Sequence, residues 1–474
     1  MKKILSTVFI LAFISVIITG CQDRSNLTAP APQSPKSGSA DFTRFVTIGN
    51  SITAGYQSSA LYQSAQVWSY GNQIAKLVNT TYQMPLVSDP GLGGRLVLQS
   101  LVGPVIVSQP SSGVPLNSTY PYPYNNLGIP GAQVYDVLNA KDSLTCYSAK
   151  YFGQPNPFFN LVLRNGVSTQ FQQAKALQPT MVTCWIGNND ALTYATNGGY
   201  PSALLTPAGT FDALYRQVGD SLASLGAKVA VANIPEVTTI PFFTTIGPVF
   251  AKAFPWTAKG VKNIYFAAHE SGLPYGAADS IHLATLQTLI TLKGQGALAY
   301  IGDVTGAYYS VNHITVPAGV VTAYPFGLYP LNPFPDQYVL DSTEIVSVHN
   351  AITAFNGTIA SVATAKGFAL VDIHTTFNNI FLQSVVENGY FNYTGVNFTA
   401  LFITGGLFSL DGVHPTSQGQ GLIADEFIKA INQKFGANYP TINLATIPGS
   451  LNFAKRNFTS NFSFNVYNWN NLGL

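Results

Sequence analysis

The sequence predicts an α/β fold with a mainly parallel sheet covered on both faces, on three observations. Short runs rich in β-branched residues recur at Arg44–Ile48, Met181–Ile186, Lys228–Asn233 and Phe368–Ile373. They are mostly apolar rather than regularly alternating, as strands buried on both faces are. Between them lie stretches with apolar residues at three- and four-residue spacing, and strands that alternate with helices assemble into parallel sheets.

Taken in order, Arg44–Ile48 runs into Gly49-Asn50-Ser51, where a strand is expected to turn into a helix. Helical patterns follow at Ser69–Val78, Val167–Leu177 and Phe211–Leu225. Glu344–Ala365 places Ile345, Val348, Ile352, Phe355, Ile359 and Val362 on one side. The last helix is expected over Gln418–Phe435, with Ser417 as its cap and Gln420 completing a capping box. Two segments break this rhythm and read as sizeable insertions. Tyr82–Asn126 is dense in Pro, Gly and Ser and holds a hairpin candidate at Leu96–Val107. Pro235–Asp341 is too long for a structureless loop and is expected to fold, either as a lid or substrate wall or as a minor surface domain. Residues 436–474 form an extension rich in Asn and aromatic side chains that shows no readable pattern.

Composition and termini set an address. Lys2 and Lys3 precede an apolar stretch, Ile4–Ile18, that ends in small residues before Cys21. That is a secretory signal over residues 1–20, shorter than the roughly 20 residues a membrane span needs. Ile18-Thr19-Gly20-Cys21 resembles a bacterial lipobox, in which Cys21 is acylated; an ordinary signal peptide is the alternative. Residues 21–42 then form a flexible tether and residues 43–435 the folded domain. The expected address is the bacterial cell envelope, extracytoplasmic and held by lipid, most simply at the outer membrane. Charged residues make up only 9% of the chain and the net charge is +2, so nothing suggests a nucleic-acid footprint. Cys146 and Cys184 read as two unrelated buried thiols, and no metal-type cysteine spacing occurs.

The chemistry sits in four short stretches. They are Gly49-Asn50-Ser51, Gly128-Ile129-Pro130-Gly131, Gly187-Asn188-Asn189-Asp190 and Asp411-Gly412-Val413-His414. A hydroxyl, a base, an acid that can orient the base and two sources of oxyanion donors are the inventory acyl transfer requires. His414 alone among the histidines has an aspartate three residues before it and a proline after it. His374, two residues after Asp372 at the end of an expected strand, is its competitor, whereas His269, His282, His313 and His349 read as surface or satisfied core residues. Asp190 reads as an anchor for its own loop.

These blocks, in this order, resemble the SGNH hydrolase superfamily of GDSL-type lipases and esterases, over the core between about Phe45 and Phe435. The resemblance implies a flavodoxin-like three-layer α/β/α sandwich with the site at the carboxyl edge of the sheet. It implies Ser51 as nucleophile, His414 as base and Asp411 as the group orienting the base. The Ser51 amide, the Gly131 amide and the Asn189 side chain become the oxyanion donors, with no metal or organic cofactor. Gly131 rather than Gly128, and Asn189 rather than Asn188, align with the family's blocks. The family's aspartate before the serine is Asn50 here, which affects only the hydrogen bonding of that loop. The implied activity is lipase- or esterase-like cleavage of carboxylic esters, on a lipid, an acylated small molecule or a glycan. Carbohydrate O-deacetylation or acyl transfer would use the same residues, and a non-catalytic surface lipoprotein that kept the fold is the reading of another class. Within the second insertion, Ile240–Phe254 is expected to overhang Ser51 as an apolar wall.

Overall fold

The computed structural model describes residues 36–100, 105–269 and 275–449; Cys21 and the signal segment lie outside them. Phe45–Gly49 (β1), Asn126–Gly128 (β2), Met181–Trp185 (β3), Lys228–Ala232 (β4) and Ala369–Val371 (β5) form one sheet. Its order is β5-β4-β3-β1-β2 and every pair is parallel. Strands β1 and β3 are buried along their whole length, which is why their sequences are apolar without alternation.

Seven helices matter for the site: Ser51–Ala54 (α1), Tyr70–Leu77 (α2), Gln170–Ala176 (α3), Asn189–Thr196 (α4), Ala208–Ala223 (α5), Ser342–Lys366 (α6) and Ser417–Phe435 (α7). One face of the sheet carries α2 and α7, where Tyr70 stacks on Phe427 at 4.8 Å and meets Trp185 of β3 edge-on. The other carries α3, α5 and α6, with Phe211 stacked on Phe355 at 3.9 Å. This is the three-layer sandwich.

Several expectations change. Strand β2 was not read: it starts at Asn126, the last residue of the first insertion, and Asn-Leu-Gly at a sheet edge has no β-branched run to betray it. The α7 cap is Thr416, whose Oγ1 accepts from Gly419 N at 3.0 Å, not Ser417. Gln420 forms no capping box; it is buried, takes Tyr70 N on Oε1 (3.0 Å) and donates Nε2 to Ile52 O (2.9 Å). A capping box does open α6, between Asp341 and Glu344. The packed body also outruns 43–435 at both ends. Ala40 and Phe42 are buried and Ser39 N reaches Phe435 O at 2.9 Å, so the packed body begins before residue 43. Ile442, Leu444 and Ile447 are buried beyond α7. Single apolar residues in polar surroundings carry no period, so these ends were unreadable.

Both insertions are folded where described. Leu96–Ser100 pairs antiparallel with Val105–Ser108. The second insertion builds its own core from Ile246, Phe250, Phe254, Phe266, Phe326 and Phe334, and Leu289–Ile290 pairs with Val339–Leu340 at its neck. Cys146 and Cys184 are free and buried. Among the described residues no helix is long and apolar enough to cross a membrane.

The sheet edge beneath α1 tolerates no side chain. A Cβ on Gly128 would lie 2.3 Å from Ala54 N and 2.6 Å from Thr53 C, both backbone atoms. Gly128→Ala should therefore cost about 1–3 kcal/mol by overpacking, read as a lower urea midpoint. The folded fraction should also turn over more slowly, because α1 begins at Ser51. A wild-type midpoint would contradict this packing.

Candidate active site

Register brings the site together. Gly49 of β1 lies opposite Gly128 of β2 and Trp185 of β3, so the chains leaving these strands start from one edge. Ser51 is the first residue of α1, immediately past that edge. Asn50 caps the turn, accepting from Ile52 N on Oδ1 (3.1 Å) and donating Nδ2 to Asn188 Oδ1 (3.0 Å). An asparagine thus supplies the loop's hydrogen bonds where the family has aspartate. Helix α1 is four residues long, so its field at Ser51 is weak and any activation of the hydroxyl falls to His414.

His414, the expected base, sits on a tight turn. Asp411 Oδ1 accepts from Val413 N (2.9 Å) and His414 N (2.8 Å), which folds the segment back so that Oδ2 meets His414 Nδ1 at 2.9 Å. Gly412 makes this turn possible with φ +69°. His414 Nε2 then lies 2.9 Å from Ser51 Oγ. Ser409 Oγ (3.1 Å) and Ser59 N (2.8 Å) complete the donors around Asp411. Burial alone would raise this carboxyl, but the charge and hydrogen bond of His414, with the backbone amides, outweigh it and hold the pKa at about 2. The Tyr56 ring packs on the imidazole at 4.8 Å, its hydroxyl donating to Ser59 O at 2.6 Å.

The two donor loops adjoin each other. Gly131 is exposed, in the left-handed region at φ +81°, and a Cβ there would lie 2.8 Å from Asn156 Nδ2. Asn156 Nδ2 itself donates to Pro130 O at 2.8 Å and holds the loop. Asn189 opens α4 and gives one amide hydrogen to Ala132 O at 2.8 Å, which leaves the other for a ligand. Asp190 takes Val134 N (3.0 Å) and Thr206 Oγ1 (3.0 Å), joining the same two loops.

The structure keeps His374 away from this chemistry. Its Nδ1 faces Ile234 O at 2.9 Å and its Nε2 faces Asn378 Nδ2 at 2.9 Å. His269, His282 and His349 each pair with an acid, Asp336, Asp279 and Glu236. Among the described residues no cluster of His, Cys, Asp and Glu has the arrangement of a metal site. The sequence had not marked Tyr56, Ser59, Asn156 or Ser409, and had weighed Asn188 only as a rival to Asn189. The wall expected from Ile240–Phe254 needs correcting. Phe242 N bonds Gly412 O at 3.0 Å, so the first turn abuts the base's loop, but Ile246, Phe250 and Phe254 fill the insertion's own core. A self-contained core, with more apolar surface to bury than a loop, draws those side chains inward.

Comparisons place the chain in a family. Residues 45–279 match the family profile described as GDSL-like lipase/acylhydrolase. That span includes Ser51, Gly131 and Asn189, and ends before Asp411. The chain belongs to the SGNH hydrolase superfamily of GDSL-type lipases and esterases, and it is an ester-cleaving hydrolase. No curated protein matches it. Among solved structures, one described as a GDSL-like lipase from Parabacteroides merdae is 11% identical, with 83% of this chain and 97% of that chain covered, at a TM-score of 0.32. An α/β hydrolase from the metagenome of Lake Arreo is 12% identical, with 83% and 96% covered, also at 0.32. A catalytic mutant of an acetylxylan esterase from Geobacillus stearothermophilus is 11% identical, with 83% and 95% covered, at 0.31.

The Asp411 network has a pH signature. Folded Asp411 titrates near 2 while an unfolded aspartate titrates near about 3.9, so its contribution is present above about pH 4. That contribution is lost as pH falls from about 4 to about 2. Asp411→Asn should be less stable than wild type at neutral pH, with the gap in urea midpoint closing across that window. A constant gap would contradict the depressed carboxyl.

Proposed function

We propose that this protein cleaves carboxylic esters with Ser51 as nucleophile, His414 as general base and acid, and Asp411 as the residue that orients His414. The observation that carries the reading is the unbroken chain Asp411 Oδ2–His414 Nδ1 at 2.9 Å and His414 Nε2–Ser51 Oγ at 2.9 Å. Ser51 Oγ attacks the acyl carbon as its proton passes to His414 Nε2. Asp411, already ionised, holds the Nδ1–H tautomer and stabilises the imidazolium. The carbonyl oxygen becomes an oxyanion that takes N–H bonds from the Ser51 amide, the Gly131 amide and Asn189 Nδ2. Collapse expels the alkoxide, which leaves as an alcohol with the His414 proton. Water then attacks the acyl-Ser51 ester by the same route, releasing the acid and restoring the serine.

The substrate reading is lipase- or esterase-like. Tyr56 and Phe158, ring to ring at 5.9 Å, supply an aromatic flank beside the base. The chain acts at the cell envelope, outside the cytoplasm, held by a lipid on Cys21 through the polar segment that follows it.

Kinetics on chromogenic esters of increasing acyl length test the chemistry. Ser51→Ala should lose turnover, and Asn189→Ala should lower kcat by about 10²–10³ with the fold intact. Full activity in Ser51→Ala would remove the nucleophile assignment. A strict preference for acetyl esters would favour a carbohydrate deacetylase over a lipase-like enzyme. Anchoring is tested separately: Cys21→Ser should abolish palmitate incorporation and detergent partitioning, and equal partitioning of both proteins would exclude the lipid.

A further inference from the structure

Two carboxylic acids with no part in this chemistry lie inside the protein beside it. Asp136 and Asp190 are each only 1% exposed. Neither belongs to an ion pair among the described residues. Both face the loop that carries Gly131, and they hold it one peptide at a time. Ala132 O takes Asn189 Nδ2 at 2.8 Å, Gln133 N donates to Asp136 Oδ2 at 2.8 Å, and Val134 N donates to Asp190 Oδ2 at 3.0 Å. Asp190 follows Asn189 directly, so the start of α4 supplies both an oxyanion donor and the clamp on the loop bearing the other.

We propose that Asp136 and Asp190 are positioning residues of the oxyanion site, fixing the Gly131 amide relative to the Asn189 amide by pinning the 132–134 peptides between them. This rests on the oxyanion reading of Gly131 and Asn189 given above.

The remaining contacts distinguish the two acids. Asp136 Oδ1 accepts from Tyr147 N at 2.7 Å, so both its oxygens face backbone N–H groups and both must accept. Asp190 Oδ1 faces the Thr206 hydroxyl at 3.0 Å, and a hydroxyl can receive a proton as well as give one. Burial pushes both carboxyls up, to about 7, and the charge of Asp136 adds to the rise at Asp190. The other titratable group facing the pair is the Tyr147 phenol, on the helix Tyr147–Phe152. When the pair holds a proton, its place is therefore Asp190 Oδ1, donated to Thr206, with Asp136 ionised.

The donor pattern gives an asymmetric test on the full-length protein with a chromogenic ester. In Asp190→Asn the carbonyl can accept from Val134 N and the NH2 can donate to Thr206 Oγ1, so kcat should stay within about threefold of wild type. Asp136→Asn sets its own NH2 against a backbone N–H, and kcat should fall by about 10- to 100-fold with KM little changed, the cost of a misplaced donor. Inhibition by a boronate that mimics the tetrahedral intermediate should weaken by a similar factor. The acid limb of the pH–kcat/KM profile, set by the base, should not move. If Asp136→Asn fails to fold, Asp190→Ala carries the test: kcat should fall as above, with Asp190→Asn as the rescue. Wild-type kcat in the folded Asp136→Asn or Asp190→Ala variant would overturn the proposal, as would equal losses in Asp190→Asn and Asp190→Ala. Asn189→Ala separates the two levels. Wild-type kcat there would remove the oxyanion reading itself, whereas a loss there without one in Asp136→Asn would remove only the clamp.

Discussion

The ionised carboxylate of Asp411 is the contact on which the site depends. It accepts five hydrogen bonds, from three peptide N–H groups, the Ser409 hydroxyl and the His414 imidazole. One of those amides belongs to Ser59, on the turn just beyond Ser51, although Ser59 and Asp411 are 352 positions apart in sequence. That single group closes the last loop on itself, aims the base and ties it to the segment carrying Ser51. A buried charge of this kind persists only because every lone pair has a donor and a cation can form beside it.

The same physics acts with opposite sign a short distance along the sheet edge. Asp136 and Asp190 are more deeply buried than Asp411, and each accepts fewer hydrogen bonds. Neither pairs with an imidazole among the described residues, so burial wins and their carboxyls rise where that of Asp411 falls. In the proposed mechanism the protein holds one carboxylate beside a ring that gains positive charge, and a softer pair whose hydrogen bonds go mainly to backbone. Both arrangements depend on the strand register that lets β1, β2 and β3 end together.

Much of this was legible in the sequence, for a physical reason. Buried parallel strands such as Met181–Trp185 must be apolar, and the spacing Asp411 to His414 is what a carboxylate needs to cap its own turn and reach the ring. What escaped notice depends on partners far away in the chain. Strand β2 is a strand only because β1 lies beside it, and Ser59 serves Asp411 through a backbone amide that any residue would possess. Ser417 looked like the better cap, but Thr416 is the residue with extended backbone at that position. The aromatic run from Ile240 onwards suggested a wall over Ser51, yet composition cannot say which of two cores will take a phenylalanine.

The claim at the centre is that Ser51 is the reacting hydroxyl and His414 its base. Mass-spectrometric mapping of a fluorophosphonate adduct tests it most directly. The adduct should sit on the peptide containing Ser51, and its rate of formation should collapse in His414→Ala while Asp372→Asn and His374→Ala label like wild type. An adduct on any other serine, or unimpaired labelling of Ser51 without His414, would contradict the account.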